Sequence, residues 1–231
     1  MRTTKWLSIL LITGVIVAGC GENDNPTAPK ENESVAPEVV LVKGPTSQNT
    51  PPTVSASAGM LTAMGSLGQA FLGSIQVSQA TKSGDSYVWT YNNGEAIVTI
   101  VSTPSDNGVN WQVKVTGVYD NVQVKDFVVL KGYSATDGKS GWWEAYDPTT
   151  GEKQMRYEWT TDNNNAVHAT LTVYGESQTK YEVVNNQDGS GSLVVYEGGV
   201  KTLQASWQAD GSGTYTAWDQ DGNVVDQGNW T

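Results

Sequence analysis

The chain has one cysteine and one histidine in 231 residues, and it is short of cations, with 13 Lys and Arg against 24 Asp and Glu. A single thiol, Cys20, closes no internal disulfide. A single imidazole, His168, nearly excludes Ser-His-Asp, Cys-His and His-rich metal chemistry, and it lies between Val167 and Ala169 on the polar side of an alternating run. A formal charge of −11 repels phosphate backbones and anionic headgroups, so nucleic acid is not an expected partner. Long apolar runs are missing as well: the stretch from Leu7 to Ala18 is about a dozen residues, short of the roughly 20 that a membrane-spanning helix needs. Charge itself is absent from everything between Lys43 and Lys82.

What is present begins with a leader. Arg2 and Lys5 precede the apolar run, which ends in Val17-Ala18-Gly19-Cys20. This end resembles the lipobox of bacterial lipoproteins. The resemblance implies that residues 1–19 are a signal peptide and that Cys20 becomes the lipidated first residue of the mature chain, whose charge would be −13 once Arg2 and Lys5 are gone. It also implies a membrane partner reached through the lipid. Gly21 in place of Asp after the cysteine implies the outer membrane as the destination.

Composition divides the rest into three. Residues 20–53 are rich in Pro, Asn, Thr, Ser and Glu, with Val39 to Val42 as the one apolar run, and they read as a lipid-anchored flexible linker. Residues 54–82 read as an uncharged helix on which Met60, Met64, Leu67 and Phe71 share a face. A helix without charge on any side needs cover, and its glycines make it depend on tertiary contacts while allowing another backbone close. Residues 83–231 hold all ten tyrosines and eight of the nine tryptophans, arranged in alternating runs such as Met155, Tyr157, Trp159 with Arg156 and Glu158 opposite. Turn signals separate the runs, among them Asp137-Gly138, Asp188-Gly189 and Asp210-Gly211.

A repeat underlies this alternation. Segments 141–159, 191–207 and 213–230 share one plan: Gly, a strand, an acidic turn with Gly, then a strand ending in Trp. The last copy resembles a MORN repeat, and no function is carried across from it. The expected fold is mainly β, an antiparallel up-and-down meander of about twelve strands forming a curved sheet or barrel, with the helix on its concave face. That outline is similar to the LolA and LolB type of lipoprotein carrier, in which a curved sheet under helices holds acyl chains; the likeness is one of shape alone.

Function follows from these parts as an expectation. No enzyme is expected and no cofactor or metal, because the turn carboxylates Asp106, Asp137, Asp188, Asp210 and Asp221 have backbone amides to satisfy and Asp219 to Asn223 departs from an EF-hand loop. The first reading is an envelope lipoprotein holding an apolar or amphiphilic ligand, such as a lipid, between helix and sheet, with Met60, Met64, Leu67 and Phe71 as lining. The second is a structural or adhesion protein that meets glycan or protein through outward aromatics, Trp142 and Trp218; the third is an outer-membrane barrel. Ala96 to Val101 and Phe127 to Leu130 are apolar at successive positions and call for a second cover.

Overall fold

Connections between strands are no longer than six residues, so each strand can reach only the one just made, and pairing runs antiparallel in sequence order. A computed structural model describes residues 39–72, 79–92, 94–119 and 121–231, and the helix side chains as far as Ser66. Helix α1 (Pro52–Leu72) leads into β1 (Thr81–Ser83), β2 (Ser86–Asn92), β3 (Ala96–Ser105), β4 (Gly108–Tyr119), β5 (Val122–Ala135) and β6 (Ser140–Tyr146). Then come β7 (Lys153–Thr161), β8 (Val167–Val173), β9 (Thr179–Asn185), β10 (Gly191–Glu197), β11 (Val200–Trp207), β12 (Gly213–Trp218) and β13 (Val224–Trp230). All belong to one sheet in the order β1 to β13.

Three expectations change. The strands number thirteen rather than about twelve: Thr81 and Lys82, expected within the helix, join Ser83 in pairing with β2 instead. The helix begins at Pro52, where a missing N–H costs nothing in the first turn, and ends at Leu72. The sheet is open: β1 and β13 each pair on one side only, which removes the barrel alternative. With three residues, β1 offers too short an edge for β13 to close against.

The repeat is a single recurring contact. Gly141, Gly191 and Gly213 stand opposite Trp159, Trp207 and Trp230 on the neighbouring strand. A Cβ on any of these glycines would meet the indole well inside van der Waals distance, so the missing side chain is what lets the ring lie across the strand. Gly132 receives Trp111 in the same way. These rings point to one face, where Trp89, Trp111, Trp143, Trp159 and Tyr157 are almost wholly buried. Trp142, next to Trp143, points to the other face, as strand alternation requires.

That buried face is covered by two layers of chain. Against it runs the segment 39–50, expected as the end of a flexible linker; the structure corrects this from Val39 onward. Val42 is 1% exposed, the Tyr157 hydroxyl donates to the Val40 carbonyl at 2.9 Å, and Asn185 exchanges hydrogen bonds with the backbone of Lys43 at 2.6 and 2.7 Å. Asn49 reaches the last residue, its amide donating to the Thr231 carbonyl at 2.8 Å. Apolar burial of Val39 and Val42, plus these bonds, offsets the ordering entropy that the polar composition suggested could not be met.

Helix α1 lies over this strap with Val54, Ala58 and Leu61 buried. Gly65 gives space to Leu41 and Tyr157, while Gly44 does so for Ala58. The uncharged polar positions are satisfied locally: Ser55 and Ser66 donate to carbonyls one turn back, and the Thr62 hydroxyl lies within reach of both Ala58 and Val42 carbonyls.

The segments apolar at successive positions find no second cover among the described residues. In β3, Ile97 is 41% exposed on the outer face. In β5 the register slips: Val113 pairs with Leu130 and Lys114 with Val128, leaving Val129 as a bulged extra residue. The bulge buries both Val129 and Leu130.

Candidate functional site

Where the helix passes the β8–β9 connection, the covered face is incompletely filled. A cavity of about 330 Å³ lies there, lined by Met60 and Met64 of the helix and by Met155, Val173 and Tyr181 of the sheet, with Glu176, Ser177 and Thr179 at its rim. Met155 is 1% exposed and Met60 40%, so the lining runs from the core to the surface. Burial, and then the charge of Glu197, raise the Tyr181 phenol above its ordinary pKa, which keeps it neutral. The chain has four methionines, one of them Met1; the other three all line this one cavity. Unbranched thioethers adapt their shape to what they touch, and the surrounding residues present apolar surface with polar groups only at the mouth.

Of the four helix residues expected to line a ligand site, Met60 and Met64 do so, and the side chains of Leu67 and Phe71 lie outside the described residues. So does Cys20. Sequence reasoning missed Met155, which alternation assigned to the core. Its signal was available in the rarity of methionine.

The second concavity is a groove of about 520 Å³ on the outer face, lined among others by Tyr133, Trp142, Glu158, His168, Thr170 and Glu182. Arg156 stacks on the Trp142 ring at 4.7 Å from its centroid and bonds Glu158 at 2.9 Å. The same guanidinium reaches Glu144, also at 2.9 Å. His168 meets Asp162 at 3.3 Å, while the Ala166 and Asn164 amides hold the Asp162 carboxyl below its usual range.

Trp142 and Trp218 both face outward, but the structure does not bring them together. They lie on β6 and β12, on the order of 30 Å apart at the usual strand spacing. Each instead carries a cation: Lys201 stands over Trp218 at 4.3 Å. The arrangement recurs along this face, with Lys131 over Tyr146, Lys153 over Tyr174 and Lys180 over Tyr196.

Beneath these cations sits Glu144, 7% exposed and touched by Lys131, Lys153 and Arg156 at 3.4, 2.9 and 2.9 Å. Burial alone would raise its pKa, but hydrogen bonds from Tyr146, Lys153 and Arg156 prevail and lower it to about 2. With all those donors engaged, Glu144 is a fixed counter-ion rather than a proton-transfer group.

Three of the five turn carboxylates named from the sequence accept turn amides as their context predicts. Asp137, Asp188 and Asp210 each accept from the amide two residues on, at 2.9 Å. In the last hairpin this role belongs to Asp219 rather than Asp221, and Asp219 accepts from the Asp221 and Asn223 amides. Among the described residues no group of three or more His, Cys, Asp or Glu side chains is placed to hold a metal ion, and no helix is long and apolar enough to cross a membrane. No protein-family model matches the chain, and no curated protein sequence does.

Proposed function

We propose that the protein is a lipid-anchored envelope lipoprotein, held at the outer membrane through Cys20, that binds the apolar part of an amphiphilic ligand in the seam between helix and sheet. One observation carries the reading: every methionine beyond Met1 lines the same cavity of about 330 Å³. Adaptable, uncharged walls suit an acyl chain, and Glu176, Ser177 and Thr179 at the mouth suit its polar end. On this reading the sheet curls around helix and strap, its concave side being the covered one.

The anchor and the cavity fit one another physically. A net charge of −13 from Cys20 onward gives the protein no attraction of its own to anionic headgroups, so a covalent lipid would supply the membrane affinity. We assign no catalytic step: Asp137, Asp188, Asp210 and Asp219 are engaged by turn amides, and Glu144, Glu158 and Glu182 by ion pairs.

Native mass spectrometry of gently purified protein should show a co-purified amphiphile or added fatty acid bound one to one. Met64→Trp, which fills the cavity, should abolish that binding without unfolding the chain. Absence of any bound amphiphile, or binding undiminished in Met64→Trp, would sink the proposal.

A further inference from the structure

The outer groove has the features of a separate ligand site, independent of the seam. Its floor is one cross-strand row: Tyr133 pairs with Trp142, Trp142 with Glu158, Glu158 with Thr170 and Thr170 with Glu182. Those five residues come from five successive strands, β5 to β9, so the row extends roughly 19 Å at the usual strand spacing. It runs across the strands without interruption, because no register shift separates these pairs. Chemistry changes along it. Two aromatic rings occupy one end, and two carboxylates flank a hydroxyl at the other, with His168 beside them.

We infer that this groove binds an uncharged, linear oligosaccharide lying across the strands. A pyranose ring has an apolar face of C–H groups and a rim of hydroxyls, and the row offers a counterpart to each. Trp142 is held rigid by Arg156 on one side, which leaves the rest of its indole to line the groove. Rigid aromatic surface of this kind gives contact area at little entropic cost. Glu158 and Glu182 accept from pairs of neighbouring hydroxyls, and Thr170 between them both donates and accepts. Both carboxylates are ion-paired, Glu158 with Arg156 at 2.9 Å and Glu182 with Lys180 at 2.7 Å, and the five residues of the row include no cation to receive a uronic or sulfated sugar, which sets the charge of the ligand.

Length is the second constraint. A row crossing five strands exceeds one sugar ring, so the ligand is an oligomer in which successive rings meet first the aromatic and then the carboxylate end. Trp218, outward and stacked under Lys201 but absent from the row, serves as an internal control.

Isothermal titration of the whole protein with cellohexaose, chitohexaose and the hexamer of galacturonic acid decides the matter. Binding of at least one of the two uncharged hexamers is expected, weakened tenfold or more by Trp142→Ala and several-fold by Glu182→Gln, and unchanged by Trp218→Ala. The galacturonate hexamer should not bind. Because Trp142→Ala also frees Arg156, Thr170→Arg provides a second block, placing a large side chain in mid-row at a partly exposed position, and it should abolish binding. The inference is overturned if neither uncharged hexamer binds, if Trp142→Ala weakens binding by less than tenfold, if binding survives Thr170→Arg, or if the uronate binds equally well. Loss of amphiphile binding in the Met64→Trp variant leaves these outcomes untouched, so the two sites fail or stand separately.

Discussion

The hairpin β6–β7 and the hairpin β12–β13 are copies of one plan, yet they live in different surroundings. In β7, Met155, Tyr157 and Trp159 are each no more than 2% exposed beneath the strap and helix. In β13 only Trp230 is buried, and Val224 and Val225 are 52% and 62% exposed. Both hairpins pair through the same Gly–Trp contact. Pairing is therefore a property of the repeat, whereas burial depends on what lies over it. A hairpin without cover keeps its ladder but little of its apolar stabilisation.

The largest test of that contrast is truncation. Trp159→Ala should cost about 3–5 kcal/mol, the usual loss for a large buried aromatic. Val225→Ala in the exposed hairpin should change stability by less than about 0.5 kcal/mol. Urea unfolding of the two variants side by side measures the difference, and equal losses would mean that the cover contributes nothing.

Acid comes next. The Glu144 carboxyl titrates near pH 2 when folded and near 4.5 otherwise, so its folded pKa is the lower one. The stabilisation it gives is complete above about pH 4.5 and disappears as pH falls toward 2, amounting to at most about 3 kcal/mol. Glu144→Gln should lower stability at neutral pH and flatten the acid limb of a stability–pH curve. An unchanged acid limb would show that the ring of cations leaves the carboxyl unaffected.

The smallest effect separates tryptophans of one repeat. Trp207 donates its indole N–H to the Gly189 carbonyl at 3.1 Å, and Trp230 likewise to Gly211 at 2.6 Å. Under the helix and strap, the Trp143 and Trp159 indole nitrogens are buried without an acceptor. Trp207→Phe thus loses a hydrogen bond, about 1 kcal/mol beyond the change in ring area, and Trp159→Phe loses none. Thermal melts of the pair should rank Trp207→Phe as the more destabilised once ring area is matched; the reverse order would contradict the assignment.

Much of the sheet was legible in advance because alternation is local. Met155, Tyr157 and Trp159 face inward against Arg156 and Glu158, and adjacent Trp142 and Trp143 face opposite ways, as a period of two demands. Candidate residues were legible only in part. Met60 and Met64 read as one helical face, but nothing in spacing linked them to Met155, which lies about ninety residues on. Glu144 looked like one more strand residue until Lys131 of β5 and Lys153 and Arg156 of β7 were set around it by the two flanking strands. The bulge at Val129 shifted a register that periodicity assumes to be constant.

The amino-acid sequence by itself determined the order of pairing, since turns of a few residues leave no alternative neighbour and glycines opposite tryptophans pin the register. Tertiary structure alone decided that residues 39–50 form a strap rather than a tether, and which hairpins are covered. The physical reason is distance along the chain: Tyr157 and Val40 are separated by 117 residues and Asn185 and Lys43 by 142. Contacts so remote cost loop-closure entropy and leave no local pattern, so only the folded sheet brings them into view.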